Sequence, residues 1–267
     1  MECGIIAKAG INKLIDAAKK DALFYAPVSR ETGVEFEEVE TGGEILFDYS
    51  NSKIPPKKIL FPQCELLLRF KENKLTNVPL YDKKTVIFGL RPCDAKSISC
   101  LDKAFGDTYG KYDDPYYKAR RSNILLISLA CNNPCNTCFC TTVGSHPADT
   151  TGSDIMAYDL GSELLLEAVT PRGDGLLKAN ANFLGNVEDS HNTEKEKNIN
   201  AALATMKTFD IDDIKKKIDS SFTDKIWQEV VAGCLGCGVC TYLCPTCYCF
   251  DVTDEKKSSG EGVRMRT

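Results

Sequence analysis

Two stretches of the chain carry the pattern Cys-x3-Cys-x2-Cys-x-Cys: Cys131, Cys135, Cys138 and Cys140, and further on Cys240, Cys244, Cys247 and Cys249. The likeness extends beyond sulfur. Cys135-Asn136-Thr137-Cys138-Phe139-Cys140-Thr141-Thr142-Val143 aligns without a gap on Cys244-Pro245-Thr246-Cys247-Tyr248-Cys249-Phe250-Asp251-Val252, sharing the threonine, an aromatic between the last two cysteines and the closing valine. Thiols gathered in one loop repel one another once ionised. Each copy therefore reads as a cradle for a metal ion or a metal–sulfide core.

The downstream copy overlaps a second pattern, Cys234-x2-Cys237-x2-Cys240-x3-Cys244-Pro245. This is the run that wraps a cubane in bacterial ferredoxins, with Gly236 and Gly238 leaving room for backbone amides near the cluster. In two-cluster ferredoxins the fourth cysteine serves the other cluster, so Cys244, Cys247 and Cys249 are candidates for a second cluster with an incomplete ligand set here. Upstream, five cysteines are available, and Cys93, Cys131, Cys138 and Cys140 are the preferred ligands, with Cys135 spare. Two other readings compete. Structural zinc would staple loops together, although zinc favours two separated Cys-x2-Cys pairs. Cys131-x3-Cys135-x2-Cys138 also has the spacing of radical S-adenosylmethionine enzymes, but Gly42-Gly43-Glu44 precedes those cysteines and reads as a hairpin turn. Cys3, Cys64 and Cys100 have no companions and are expected as small buried hydrophobes. Arg91, Asp94 and Lys96 either tune a cluster or, as preferred, cap and solvate a helix.

The elements that must position these residues can be read from periodicity. Thr85 to Leu90 and Asn123 to Leu129 are short apolar runs typical of buried strands, and Asp94 to Phe105 has helical spacing with Asp94 as its cap. They form a β-α-β unit. If its strands are parallel neighbours, Cys93 and Cys131 leave them at the same sheet edge, where open α/β sheets bind ligands. A helix is expected from Gly10 to about Lys20, with strands at Leu23 to Ala26, Val34 to Val39 and Ile45 to Tyr49. A hairpin spans Ile155 to Val169 with Gly161-Ser162 at its turn. The stretch from about Val187 to Lys225 reads as a charged helical connector.

The chain has 267 residues, 43% of them hydrophobic and 27% charged, with a net charge of -5. That balance carries no polyanion-binding signature and argues against nucleic acid as a partner. No apolar stretch approaches a membrane span, and the N-terminus opens no export signal, so a cytoplasmic protein without membrane insertion is expected. Fourteen cysteines in a reducing compartment then point to metal rather than disulfides. Two histidines leave little for mixed zinc sites or histidine catalysis. Neither a Gly-x-Gly-x-x-Gly after a strand nor a Walker loop is present.

The residues then resemble a known group. Phe88-Gly89-Leu90-Arg91-Pro92-Cys93-Asp94, Asp114-Pro115-Tyr116-Tyr117 with Arg120-Arg121, Cys138-Phe139-Cys140, Asp159-Leu160-Gly161 and the run from Cys234 to Cys247 are similar to the 4Fe–4S dicluster family. That family includes the β subunits of cytoplasmic NiFe hydrogenases (sulfhydrogenases) and the A subunit of anaerobic sulfite reductase. The resemblance covers most of the chain from about Ile54. It implies a non-catalytic electron-transfer subunit with two or more [4Fe–4S] clusters, working between a flavin-containing, NAD(P)H-linked diaphorase-type subunit and a catalytic hydrogenase or reductase subunit. Members usually continue further, with more cysteines and a second ferredoxin half, so the chain is expected to be either a fragment or a shortened variant. The expected architecture is an α/β (α+β) domain over residues 1–186 that carries a cluster at strand C-termini, a helical connector over 187–228 and a small ferredoxin-like domain over 229–267.

Overall fold

The computed structural model describes residues 1–72, 74–106 and 113–267. The chain opens with β1 (Cys3–Ala7), α1 (Asn12–Ala18), β2 (Ala22–Arg30) and β3 (Gly33–Glu38). A long connection leads to α2 (Lys57–Leu60), β4 (Glu65–Lys71) and β5 (Lys74–Asn77). Then follow β6 (Lys84–Leu90), α3 (Pro92–Phe105), α4 (Pro115–Asn123) and β7 (Ile124–Leu129). The hairpin β8 (Ile155–Asp159) and β9 (Glu163–Ala168) precedes α5 (Pro171–Ala179) and α6 (Asp189–Thr205). The tail holds α7 (Ile214–Ser220), α8 (Ile226–Val231), α9 (Val239–Leu243), β10 (Val252–Lys256) and β11 (Glu261–Arg266).

Seven strands make one sheet in the order β1-β9-β8-β7-β6-β2-β3. Its centre is parallel: β2 with β6, β6 with β7, and β7 with β8. Central parallel strands are covered on both faces, which is why β6 and β7 read as continuous apolar runs rather than alternating ones. Val86 and Phe88 pack with Leu14 and Ile15 of α1 and Leu177 of α5 on one face. Ile87 and Leu90 pack with Ile98 and Leu101 of α3 and Tyr117 of α4 on the other. Because β6, β7 and β8 run the same way, Arg91-Pro92-Cys93 and Ala130-Cys131 leave the sheet at a common edge.

One expected strand is absent. Ile45 to Tyr49 is an irregular segment behind a 3-10 turn at Gly42–Glu44, so Gly42-Gly43 is no hairpin turn. The Glu44 carboxylate accepts from the amides of Thr41 (2.7 Å) and Glu40 (2.9 Å), which closes the chain into that turn. Ile45 and Tyr49 stay buried, which explains their apolar spacing.

A second, four-stranded antiparallel sheet has the order β10-β11-β4-β5. Its pairing of β11 with β4 returns the end of the described chain to the main body. Arg266, 2% exposed, locks this return by pairing with Glu65 and Asp114. Its guanidinium also lies 4.7 Å from the Phe61 ring and 5.5 Å from that of Phe250. Losing a buried pair is costly because its carboxylates keep less compensation, here Glu65 with Arg120 alone, whereas an exposed pair contributes little. Arg266→Met should therefore lower unfolding stability in urea severely, and loss of the exposed Arg264–Asp254 pair through Arg264→Met should barely register.

Candidate metal centre

The upstream site is built where β6 and β7 end. Gly89 interrupts the ladder as a bulge, at φ +83°, a conformation that a side chain would strain, and an added Cβ would press on Pro27. The Tyr49 hydroxyl donates to the Gly89 carbonyl at 2.5 Å. Two residues on, Arg91 is 4% exposed. It donates to the carbonyls of Ala130 (3.0 Å), Leu129 (3.4 Å) and Tyr49, and stacks 3.9 Å from the Tyr49 ring. One buried guanidinium thus ties the ends of both strands. Cys93 falls in the first turn of α3 and Cys131 two residues past the end of β7. The Cys131 amide is fixed by the Pro147 carbonyl at 2.8 Å.

The preference for Arg91 and Asp94 as solvated, capping groups is therefore corrected. Arg91 itself is the N-cap residue, no side chain caps α3, and both residues are buried because the helix start packs against the strand ends. Lys96 is different: it donates to the Gly144 carbonyl (3.1 Å) and to Asp149 (3.3 Å), holding the loop that follows Cys140.

Cys93, Cys131, Cys138 and Cys140 line one cavity of about 620 Å³. They come from a helix start, a strand end and a loop. Cys135 is off its wall, with its sulfur 3.1 Å from the Thr137 hydroxyl, 3.2 Å from the Cys138 sulfur and 3.4 Å from the Asn51 amide nitrogen. Among the described residues, no three His, Cys, Asp or Glu side chains converge on a single point as a lone ion would require. The four thiols share the wall of one cavity. Burial, joined by Asp94 and the other thiols, pushes Cys93 up to about 12. Burial likewise raises Cys138 to about 11 and lifts Cys131 and Cys140, with Arg91 opposing the rise at Cys131. Buried Asp94 is raised to about 6. Such thiols ionise together only if positive charge arrives with them, which is what an iron–sulfur core brings, so the donor set fits that group.

The downstream copy repeats the upstream geometry. The Cys138 amide donates to Cys135 O at 3.0 Å, and the Cys247 amide to Cys244 O at 3.2 Å. The Thr137 hydroxyl is 3.1 Å from the Cys135 sulfur, and the Thr246 hydroxyl 3.2 Å from that of Cys244. Conserving Thr at this place in both turns has a physical result: the hydroxyl bond lowers the thiols of Cys135 and Cys244 below their ordinary value. Cys244, Pro245 and Thr246 reach the wall of the upstream cavity, whereas Cys247 and Cys249 line a smaller one of about 280 Å³. Cys234, Cys237 and Cys240 are exposed and line neither. Gly236 and Gly238 both take positive φ, and the Gly236 amide points at the Cys234 sulfur at 3.4 Å.

Cys3, Cys64 and Cys100 are exposed, which corrects their reading as buried hydrophobes. Cys3 and Cys64 lie at or beside strand starts, and Cys100 is on the outer side of α3, bordering the large cavity. Lys57 and Tyr49 were missed from sequence. A lysine after two prolines and a tyrosine in an irregular loop carry no motif, and only the fold brings them to the cysteines.

A family model described as a 4Fe–4S dicluster domain matches residues 233–267. Over 243 residues, the chain is 32% identical to sulfhydrogenase 2 subunit beta of Pyrococcus furiosus, a match that spans 91% of this chain and 71% of that protein. The chain belongs to the 4Fe–4S dicluster family of iron–sulfur electron-transfer subunits. No helix among the described residues is long and apolar enough to cross a membrane.

The threonine bonds give a direct check on cluster-free protein. Thiolate, not thiol, is alkylated. Thr137→Val should slow iodoacetamide labelling of Cys135 several-fold near neutral pH, and Thr246→Val should do the same at Cys244, with Cys93 unchanged, as read by peptide mass spectrometry.

Proposed function

We propose that this chain relays electrons between a flavin-containing, NAD(P)H-linked subunit and a catalytic hydrogenase or sulfite reductase subunit. The observation that carries the reading is the convergence of Cys93, Cys131, Cys138 and Cys140 on one cavity at the edge of the parallel strands. Bound there, a [4Fe–4S] cluster supplies one-electron transfer at a potential set by its surroundings. The protein's own residues do the rest. The four cysteines hold the core, Arg91 fixes the strand ends that present two of them, and Leu243, Met206 and Phe139 lay apolar surface along the same cavity. Apolar lining limits water and so bears on potential.

A path onward is also supported. The Cys244–Cys247 turn borders both cavities, with Pro55 on the wall of each, so a downstream cluster would be separated from the upstream one by this turn. The downstream ligands are drawn from Cys234, Cys237, Cys240, Cys244, Cys247 and Cys249. The similarity to a sulfhydrogenase β subunit supports the choice of partners. Phe222, Trp227, Val230 and Leu235 are large apolar side chains left exposed, as a surface for a partner subunit would be. Cys135, needed by the radical S-adenosylmethionine reading, is off the cavity wall, and the ferredoxin-type run from Cys234 to Cys244 favours a cluster over a zinc staple. A cytoplasmic setting fits these partners.

Anaerobic purification with iron and acid-labile sulfide analysis tests the reading. Cys93→Ala, Cys131→Ala, Cys138→Ala and Cys140→Ala should each remove about four irons per chain and the same EPR signal, while Cys135→Ala keeps both. Stoichiometric zinc without sulfide, or loss of the cluster on removing Cys135 alone, would sink it.

A further inference from the structure

Beneath the downstream turn lies a cation that the cluster reading does not use. Lys57 is 9% exposed at the start of α2, and its ammonium donates to the carbonyls of Cys244 at 2.6 Å and Cys247 at 3.0 Å. It lines the smaller cavity together with Cys247 and Cys249. Among the described residues no carboxylate pairs with it, although its neighbour Lys58 pairs with Glu35 at 3.5 Å. A buried ammonium without a counter-ion is costly. The acidic groups nearest to it are the thiols of Cys244 and Cys247, whose carbonyls it contacts, and of Cys249 on the same cavity wall.

The two carbonyls have a mechanical consequence as well. The Cys244 carbonyl already accepts from the Cys247 amide, so the lysine adds a second bond at one end of the turn and a first at the other. Both ends are thereby tethered to α2, which packs in the main core through Leu60. Upstream, Arg91 plays the matching part by donating to the Leu129 and Ala130 carbonyls just before Cys131.

We propose that Lys57 is a positioning residue for a cluster held by the downstream cysteines: it tethers the Cys244–Cys247 turn in ligating shape and raises that cluster's reduction potential. The inference rests on the reading of the downstream cysteines as cluster ligands. A fixed positive charge favours the form carrying one more electron, so its removal makes reduction harder.

The test is an EPR-monitored redox titration of the anaerobically reconstituted full chain, with Cys93→Ala used to silence the upstream signal. In that background Lys57→Met should shift the downstream midpoint to more negative potential and Lys57→Arg, which keeps charge and donors, should restore it; with Cys93 intact, Lys57→Met should leave the upstream midpoint unmoved. An unchanged midpoint in Lys57→Met, or Lys57→Arg behaving like Lys57→Met, overturns the electrostatic half. Hydrogen exchange of the Cys247 amide in cluster-free protein tests the tether: faster exchange in Lys57→Met supports it, and unchanged exchange overturns it. If Lys57→Met binds no downstream iron, a fully loaded Lys57→Arg supports the proposal and an equally empty one overturns it. Absence of downstream iron and sulfide in the Cys93→Ala chain with Lys57 intact would instead overturn the reading of those cysteines as ligands.

Discussion

Four thiols sharing the wall of one cavity repel one another once ionised unless positive charge enters with them. Around the upstream cavity burial raises every one of the four, Cys93 to about 12, because each added thiolate meets low dielectric and like-charged neighbours. The remainder of the structure is organised around that cost. The parallel strands bring Cys93 and Cys131 to one edge, and the loop from Cys131 to Cys140 folds back over it. An iron–sulfur core bound there would supply the positive charge that lets the thiols ionise together.

Cations of the protein contribute next, and they act mainly through the backbone. Arg91 and Lys57 each direct their hydrogen bonds at carbonyl oxygens beside a cysteine rather than at carboxylates. A charge placed this way stiffens a loop and biases its electrostatics at once. Arg266 serves stability instead: it pairs with Glu65 and Asp114 inside an aromatic surround and closes the second sheet against the first body. The downstream turn is thus held from two sides, by α2 below and by the return of β11 beyond it.

Much of the upstream frame was legible in the sequence because each part had a local cause. The runs at β6 and β7 are apolar on both faces, as parallel strands covered on both sides must be. The duplicated Cys-x3-Cys-x2-Cys-x-Cys pattern folds into the same turn twice, down to the threonine hydroxyl on the first thiol of each turn. What escaped depended on distant packing. Ile45 to Tyr49 looked like a strand because Ile45 and Tyr49 are buried, yet the turn closed by Glu44 keeps it from pairing. Arg91 and Asp94 looked like surface charge on a helix start, and only the meeting of two strand ends buries them. Lys57 had no signal at all, since the carbonyls it serves lie far along the chain.

The central claim is that one iron–sulfur core occupies the cavity walled by Cys93, Cys131, Cys138 and Cys140. Anomalous diffraction at the iron edge from crystals grown without oxygen measures this directly. The account predicts a compact iron peak within bonding distance of those four sulfurs and away from Cys135. Iron bound through Cys131, Cys135 and Cys138 with Cys93 free, or zinc in its place, would contradict it.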